Sequence, residues 1–198
     1  MTSQFDMFNL HPALVQAVVE RGYLVPTPVQ DEVIPSLLAG EDVVGQAQTG
    51  TGKTAAFALP MLNRLVPGQA YIQALVLTPT RELAMQVAEA IRSYGQFTRA
   101  RVLAVYGGAP YGPQINSLRR GVDIVVGTPG RLMDLMRKKE LELSHLRMVI
   151  LDEADEMLSM GFAEDIETIL TETPTERQTA LFSATLPPEI RRDRKSVV

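Results

Sequence analysis

Short apolar runs alternate with stretches of helical period along most of the chain. The runs are Asp42–Gln46, Ala74–Leu77, Val102–Tyr106, Ile124–Val126, Met148–Leu151 and Thr179–Phe182. They are rich in Val, Ile and Leu and give way to Gly, Thr-Pro, Asp or Ser, as strands buried on both faces do. Between them lie segments with a helical pattern. Leu14–Val19 predicts a helix ended by Gly22. Thr27-Pro28 reads as an N-cap and a first-turn proline, opening a helix to about Leu38 that Ala39-Gly40 stops. Gly52–Leu65 predicts a third helix, which Pro60 should kink or shorten. Arg81–Tyr94 predicts a fourth, with Leu83, Val87 and Ile91 on one face. Tyr23–Gln30 is extended, because each proline biases the residue before it away from the helix.

Strands alternating with helices imply an α/β fold, a doubly wound and mainly parallel sheet with helices on both faces. Ligands of such sheets sit beyond the carboxyl ends of the strands. The polar and glycine-rich residues collect there: 45–54, 78–81, Gly107-Gly108, 127–131, 152–155 and 183–185. Six strand ends are expected to converge on one rim.

Composition narrows the class. The 198 residues suit one domain, with 45% apolar and 21% charged content, and no run approaches the length of a membrane span. There is no cysteine and there are two histidines, so neither a disulfide framework nor a thiolate metal site is available. A reducing cytoplasm is consistent with this. The net charge of −4 opposes strong stand-alone nucleic-acid binding, yet the charge is uneven. Residues 152–176 hold nine acids and no base, whereas 81–147 hold eleven Arg/Lys against six Asp/Glu. Either segment reads as a solvated face, and the second also as a weak phosphate-tracking one.

The candidate chemistry centres on Ala47–Thr54, AQTGTGKT, after the first apolar run. Gly50 and Gly52 permit the positive φ angles with which successive N–H groups curl around an anion. The residues Gln48, Thr49, Gly50, Thr51 and Gly52 form the cradle. Lys53 supplies a charge for β/γ phosphates and Thr54 a hard oxygen for Mg²⁺. The general phosphate-loop pattern begins with glycine, where this chain has Ala47. Asp152, after the strand Met148–Leu151, suits an Mg²⁺ held through water, and Glu153 suits a group that orients or deprotonates the attacking water. The same acids also suit a helix N-terminus. Ser183 and Thr185 read either as a plain strand end running into the turn Pro187-Pro188 or as hydroxyls that bond the neighbouring carboxylates and report their state, with Asp155 in the same coupling group. Thr80-Arg81 and Thr128–Arg131 are helix starts bearing an arginine that opposes the dipole. With Gly107 and Gly108 they look like contacts to a sugar-phosphate backbone. Gln30 offers the donor and acceptor an adenine edge needs, and Tyr23 a ring to stack on it. A helix-start glutamine facing water is the plainer reading. His11 and His145 read as surface residues, and Met133/Met136 and Met157/Met160 as core filler.

These motifs together resemble the N-terminal RecA-like, P-loop domain of DEAD-box RNA helicases. Gly22–Gln30 resembles the Q motif, with Phe5 as its upstream aromatic, and Ala47–Thr54 matches the family's A-x-T-G-x-G-K-T loop, which accounts for the alanine. Pro79–Leu83 resembles motif Ia, Gly107-Gly108 the GG motif, and Thr128–Arg131 motif Ib. Asp152–Asp155 spells DEAD, and Ser183–Thr185 spells SAT. The resemblance implies ATP and Mg²⁺ at Gln30, the loop and the acids, and single-stranded RNA backbone at Ia, GG and Ib. It also implies a second RecA-like domain that supplies arginine fingers. That domain is absent from this sequence, which ends shortly after SAT. Residues 1–192 are therefore expected to be the ATP-binding half of an ATP-dependent RNA helicase, cytoplasmic and monomeric, with little activity alone. Residues 193–198 are read as a non-native tail. The rivals are a binding module that kept the fold, and a DNA-directed helicase or other P-loop ATPase.

Overall fold

The computed structural model describes residues 3–48 and 50–185. Six parallel strands form one sheet: β1 (Val43–Gln46), β2 (Ala74–Leu77), β3 (Val102–Val105), β4 (Ile124–Gly127), β5 (Met148–Leu151) and β6 (Gln178–Ser183). Their spatial order is β1-β6-β5-β2-β4-β3, and every neighbouring pair is parallel. All six carboxyl ends therefore share one rim, as the alternation of runs implied.

Alternate residues of each strand enter different cores. Ala74, Val76, Ile124, Val126, Ile150 and Phe182 join a cluster on one face. Leu75, Leu77, Val125, Val149, Leu151 and Leu181 join a cluster on the other. The first face is covered by α1 (Pro12–Glu20), α2 (Pro28–Ala39), α3 (Lys53–Asn63) and α4 (Arg81–Tyr94). The second is covered by α5 (Tyr111–Arg119), α6 (Pro129–Arg137), α7 (Ala154–Ser159) and α8 (Ala163–Thr171). Burial on both faces is why the strands read as unbroken apolar runs rather than alternating ones.

The expected helix over 52–65 is α3, shortened to Asn63, with Pro60 in its final turns. A proline there removes one N–H near the end, where the ladder is about to stop. Pro35 sits inside α2 as well, without ending it. Upstream, Phe5 is fully buried and meets Phe8 edge-on at 5.9 Å, so the leading aromatics anchor the N-terminal segment onto the first core. His11 and His145 are exposed as expected. Of the methionines, Met133 and Met157 are core residues, but Met160 is 47% exposed. The expected turn Pro187-Pro188, the expected tail 193–198 and Arg191-Arg192 lie outside the described residues.

Candidate functional site

The rim begins where β1 stops. The Ala47 N–H continues the ladder to the Ser183 carbonyl at 3.1 Å, and the chain then turns into α3. Gly50 and Gly52 have φ of +86° and +90°, the left-handed backbone expected of both. Gly52 is also short of space, since a Cβ there would lie 2.6 Å from Gln30 Nε2. The Thr51 hydroxyl donates to the Gln48 carbonyl at 2.7 Å and closes the turn. Thr49 lies outside the described residues. Lys53 opens α3 and is buried, and Thr54 follows it half-buried.

Gln30 sits at the third position of α2 and is 4% exposed, so the plain reading of a glutamine facing water is corrected. Its side-chain oxygen accepts from the Thr27 N–H at 3.0 Å, and its amide donates to the Gly52 carbonyl at 3.1 Å. One lone pair and one amide hydrogen remain for a ligand. The helix start and the phosphate loop are thereby tied through one side chain. Tyr23 is exposed, with the Arg21 guanidinium 5.6 Å from its ring centroid.

β5 brings Asp152 to the same rim. Its carboxylate lies 3.6 Å from Lys53 Nζ, and its Oδ1 is buried with no hydrogen-bond partner. Burial raises the Asp152 pKa above the ordinary value; the Lys53 charge opposes this and the Glu153 charge adds to it. Glu153 is the N-cap of α7 with φ +55° and ψ 52°, a left-handed conformation that costs a glutamate of order 1 kcal/mol. The backbone is thus bent where the second acid leaves the strand. β6 lies beside β5 and delivers the two hydroxyls. Ser183 Oγ accepts from the Asp155 N–H at 3.3 Å, and Thr185 donates to Asp155 Oδ2 from its N–H at 2.9 Å and its hydroxyl at 2.7 Å. Burial would raise the Asp155 pKa, but the bonds from Thr185 and Ser183 outweigh it and hold the carboxyl below its usual range.

The residue types fit a hydrated Mg²⁺. Among the described residues no group of three or more His, Cys, Asp or Glu could hold a metal by itself. Magnesium at a phosphate site takes one or two protein oxygens, with water and phosphate completing its shell. Asp152, whose Oδ1 makes no hydrogen bond, and Thr54 are the residues that would hold it.

A second feature lies farther along the rim. Pro79, Thr80, Arg81, Gly107, Gly108, Thr128 and Arg131, all expected at a backbone-binding surface, line one groove of about 690 Å³. Thr80 caps α4 by accepting from the Leu83 N–H at 3.2 Å. Thr128 holds the N-cap position of α6, with no side-chain cap bond. Arg81 lies over the Tyr106 ring at 5.0 Å and reaches the Gly108 carbonyl at 3.5 Å. Arg131 is buried and donates to the Ala109 carbonyl at 2.9 Å, with its guanidinium 4.0 Å from the Tyr111 ring centroid. The sequence singled out neither Tyr106 nor Tyr111, nor Arg137 and Phe162 in the groove wall, and Met160, read as core filler, lines that wall too. Two tyrosines flanking Gly107-Gly108 were the available signal.

A parallel sheet of this order, with a glycine loop after β1 and an acid after β5, defines a RecA-like P-loop domain. The DEAD/DEAH box helicase family model matches residues 27–192, and the chain belongs to that family. It is 54% identical to the ATP-dependent RNA helicase DeaD of Mycobacterium tuberculosis, covering 95% of this chain and 34% of that protein. It is 50% identical to the DEAD-box ATP-dependent RNA helicase CshA of Bacillus subtilis, covering 97% of this chain and 39% of that one. The chain thus spans little more than a third of these relatives. The crystal structure of a DEAD box protein from Methanococcus jannaschii superposes with a TM-score of 0.94 at 42% identity, over 98% of this chain and 53% of that one.

Proposed function

We propose that this chain is the ATP-binding half of an ATP-dependent RNA helicase, holding ATP with Mg²⁺ at the loop and single-stranded RNA backbone in the groove. The observation that carries the reading is Asp152: a buried carboxylate delivered by β5, whose Oδ1 makes no hydrogen bond and pairs at 3.6 Å with the lysine of a phosphate loop. The N–H groups of Gly50–Thr54 and the α3 terminus receive the phosphates, and Lys53 neutralises β/γ charge. Gln30 selects adenine with its remaining donor and acceptor, and Tyr23 stacks on the ring. Bound Mg²⁺ supplies charge neutralisation on the phosphates. Glu153 orients the attacking water and accepts its proton. Asp155 with Ser183 and Thr185 links the state of the acids to β6. Arg81, Arg131 and the Gly107–Gly108 backbone hold RNA phosphates, which fix position without reading sequence.

The 198 residues alone are expected to bind nucleotide weakly and to turn it over slowly or not at all. In P-loop enzymes an arginine supplied from outside the loop contributes about 10³–10⁵ in rate, and in this family reading it belongs to a second RecA-like domain. We assign the activity to the cytoplasm and to a monomer. Among the described residues no helix is long and apolar enough to cross a membrane.

Glu153→Gln tests the reading. In a chain that carries the second domain it should retain ATP binding and lower turnover by about 10²–10⁴. A non-enzymatic binding module has no use for Glu153, so RNA-stimulated turnover that survives the substitution would sink the proposal.

A further inference from the structure

Arg131 occupies an unusual position in the groove. It is 7% exposed, and among the described residues its Nη1 is buried with no acceptor. An unmet guanidinium N–H is costly to bury unless something else compensates. The opposite edge of the same group is spent, because Nη2 donates to the Ala109 carbonyl at 2.9 Å. Its face is covered by Tyr111, whose ring centroid lies 4.0 Å from Cζ. A desolvated guanidinium on a tyrosine face gains cation–π attraction that offsets part of that cost. Tyr111 is held in turn by its hydroxyl, which donates to Asp134 Oδ2 at 2.9 Å, one helical turn beyond Arg131 on α6. Lys138 lies 5.0 Å from the same ring.

We propose that Tyr111 is a positioning residue of the RNA groove, fixing the Arg131 guanidinium so that its unpaired Nη1 edge is reserved for a phosphate of single-stranded RNA. The inference rests on the reading of this groove as the RNA site. Guanidinium donors act in their own plane, so a ring against the face sets the plane without competing for the donors. One edge is fixed by Ala109, the face by Tyr111, and a single direction is left for an anion. Tyr111 is 36% exposed and forms the open side of the cluster.

A labelled single-stranded oligoribonucleotide, titrated against the 198-residue chain over a salt series, reads affinity and the slope of log K on log salt. Arg131→Ala should lower the slope by about 0.7, one phosphate on a single strand. Tyr111→Ala removes no charge, yet should lower the slope by the same amount and weaken binding about threefold or more. Tyr111→Leu should behave as Tyr111→Ala, which separates loss of the ring face from loss of bulk. Tyr111→Phe keeps the ring and should keep the full slope. The double variant Tyr111→Ala/Arg131→Ala should lose no more than Arg131→Ala alone. A full slope in Tyr111→Ala beside a reduced one in Arg131→Ala overturns the positioning role and leaves the groove standing. An unchanged slope in Arg131→Ala overturns the groove reading itself.

Discussion

Lys53 and Asp152 face each other across the junction of the phosphate loop and β5, Nζ 3.6 Å from Oδ1, with side chains 8% and 4% exposed. A pair this buried contributes little net stability, because each ion has lost its water, but removing one partner strands the other. Lys53→Met should therefore cost about 3–5 kcal/mol in urea unfolding, less whatever Asp152 recovers by taking up a proton. Lys53→Met/Asp152→Asn should restore more than half of that loss. Simple additivity of the two single changes would show that the pair is not coupled.

The two loop glycines should not respond alike to a methyl group. Both are left-handed, so either alanine is strained, by about 1 kcal/mol. At Gly50 nothing lies within 4 Å of the added Cβ, whereas at Gly52 it meets Gln30 Nε2 at 2.6 Å and Thr27 Oγ1 at 3.0 Å. Gly52→Ala should thus exceed Gly50→Ala in cost by about 1–3 kcal/mol, through the displaced Gln30–Gly52 bond. Thermal melts of the two variants compare them directly, and equal shifts would mean that Gln30 moves aside freely.

The contrast between these glycines also marks how far the chain could be read without its structure. Positive φ at both follows from residue type alone, as do the six strands, whose runs of Val, Ile and Leu reflect burial on two faces. The spatial order of the strands is not local information, because β6 entering between β1 and β5 depends on long-range packing. α5 also escaped, since Gly112-Pro113 in its first turn and only Gln114 buried leave little apolar period. At the site, the residues of the loop and the acids were legible because their spacing is local. The Arg131–Tyr111 stack was not, since it joins two chain segments that only the fold brings together.

Gln30 carries two roles that one substitution can separate. Its amide N–H donates to Gly52, and its oxygen accepts from Thr27. Gln30→Glu keeps the acceptor but sets a carboxylate oxygen against the Gly52 carbonyl, a repulsion that should cost about 1–3 kcal/mol in stability. It also removes the donor proposed for adenine, so calorimetric titration should show the preference for ATP over GTP falling toward parity. An unchanged preference would count against Gln30 as the adenine reader while leaving its structural tie to the loop intact.

The Asp155–Thr185 contact gives a prediction whose sign follows from the lowered pKa of Asp155. A carboxyl held below its usual range binds its proton less readily folded than unfolded. Its contribution is then complete above the ordinary aspartate value of about 3.9 and is lost as pH falls through the lower folded value. Thr185→Val deletes the hydroxyl donor at 2.7 Å and leaves the N–H donor at 2.9 Å. The contact is largely exposed, so the loss at neutral pH should be small, about 0.5–1 kcal/mol. It should stay constant from neutral pH down to the ordinary carboxylate range and vanish below it. In a carbon-13 titration of the Asp155 carboxyl, the variant should shift upward toward the ordinary value. A carboxyl that titrates identically in both proteins would show that Thr185 does not hold the charge, and the proposed link from the acids to β6 would have to run through Ser183.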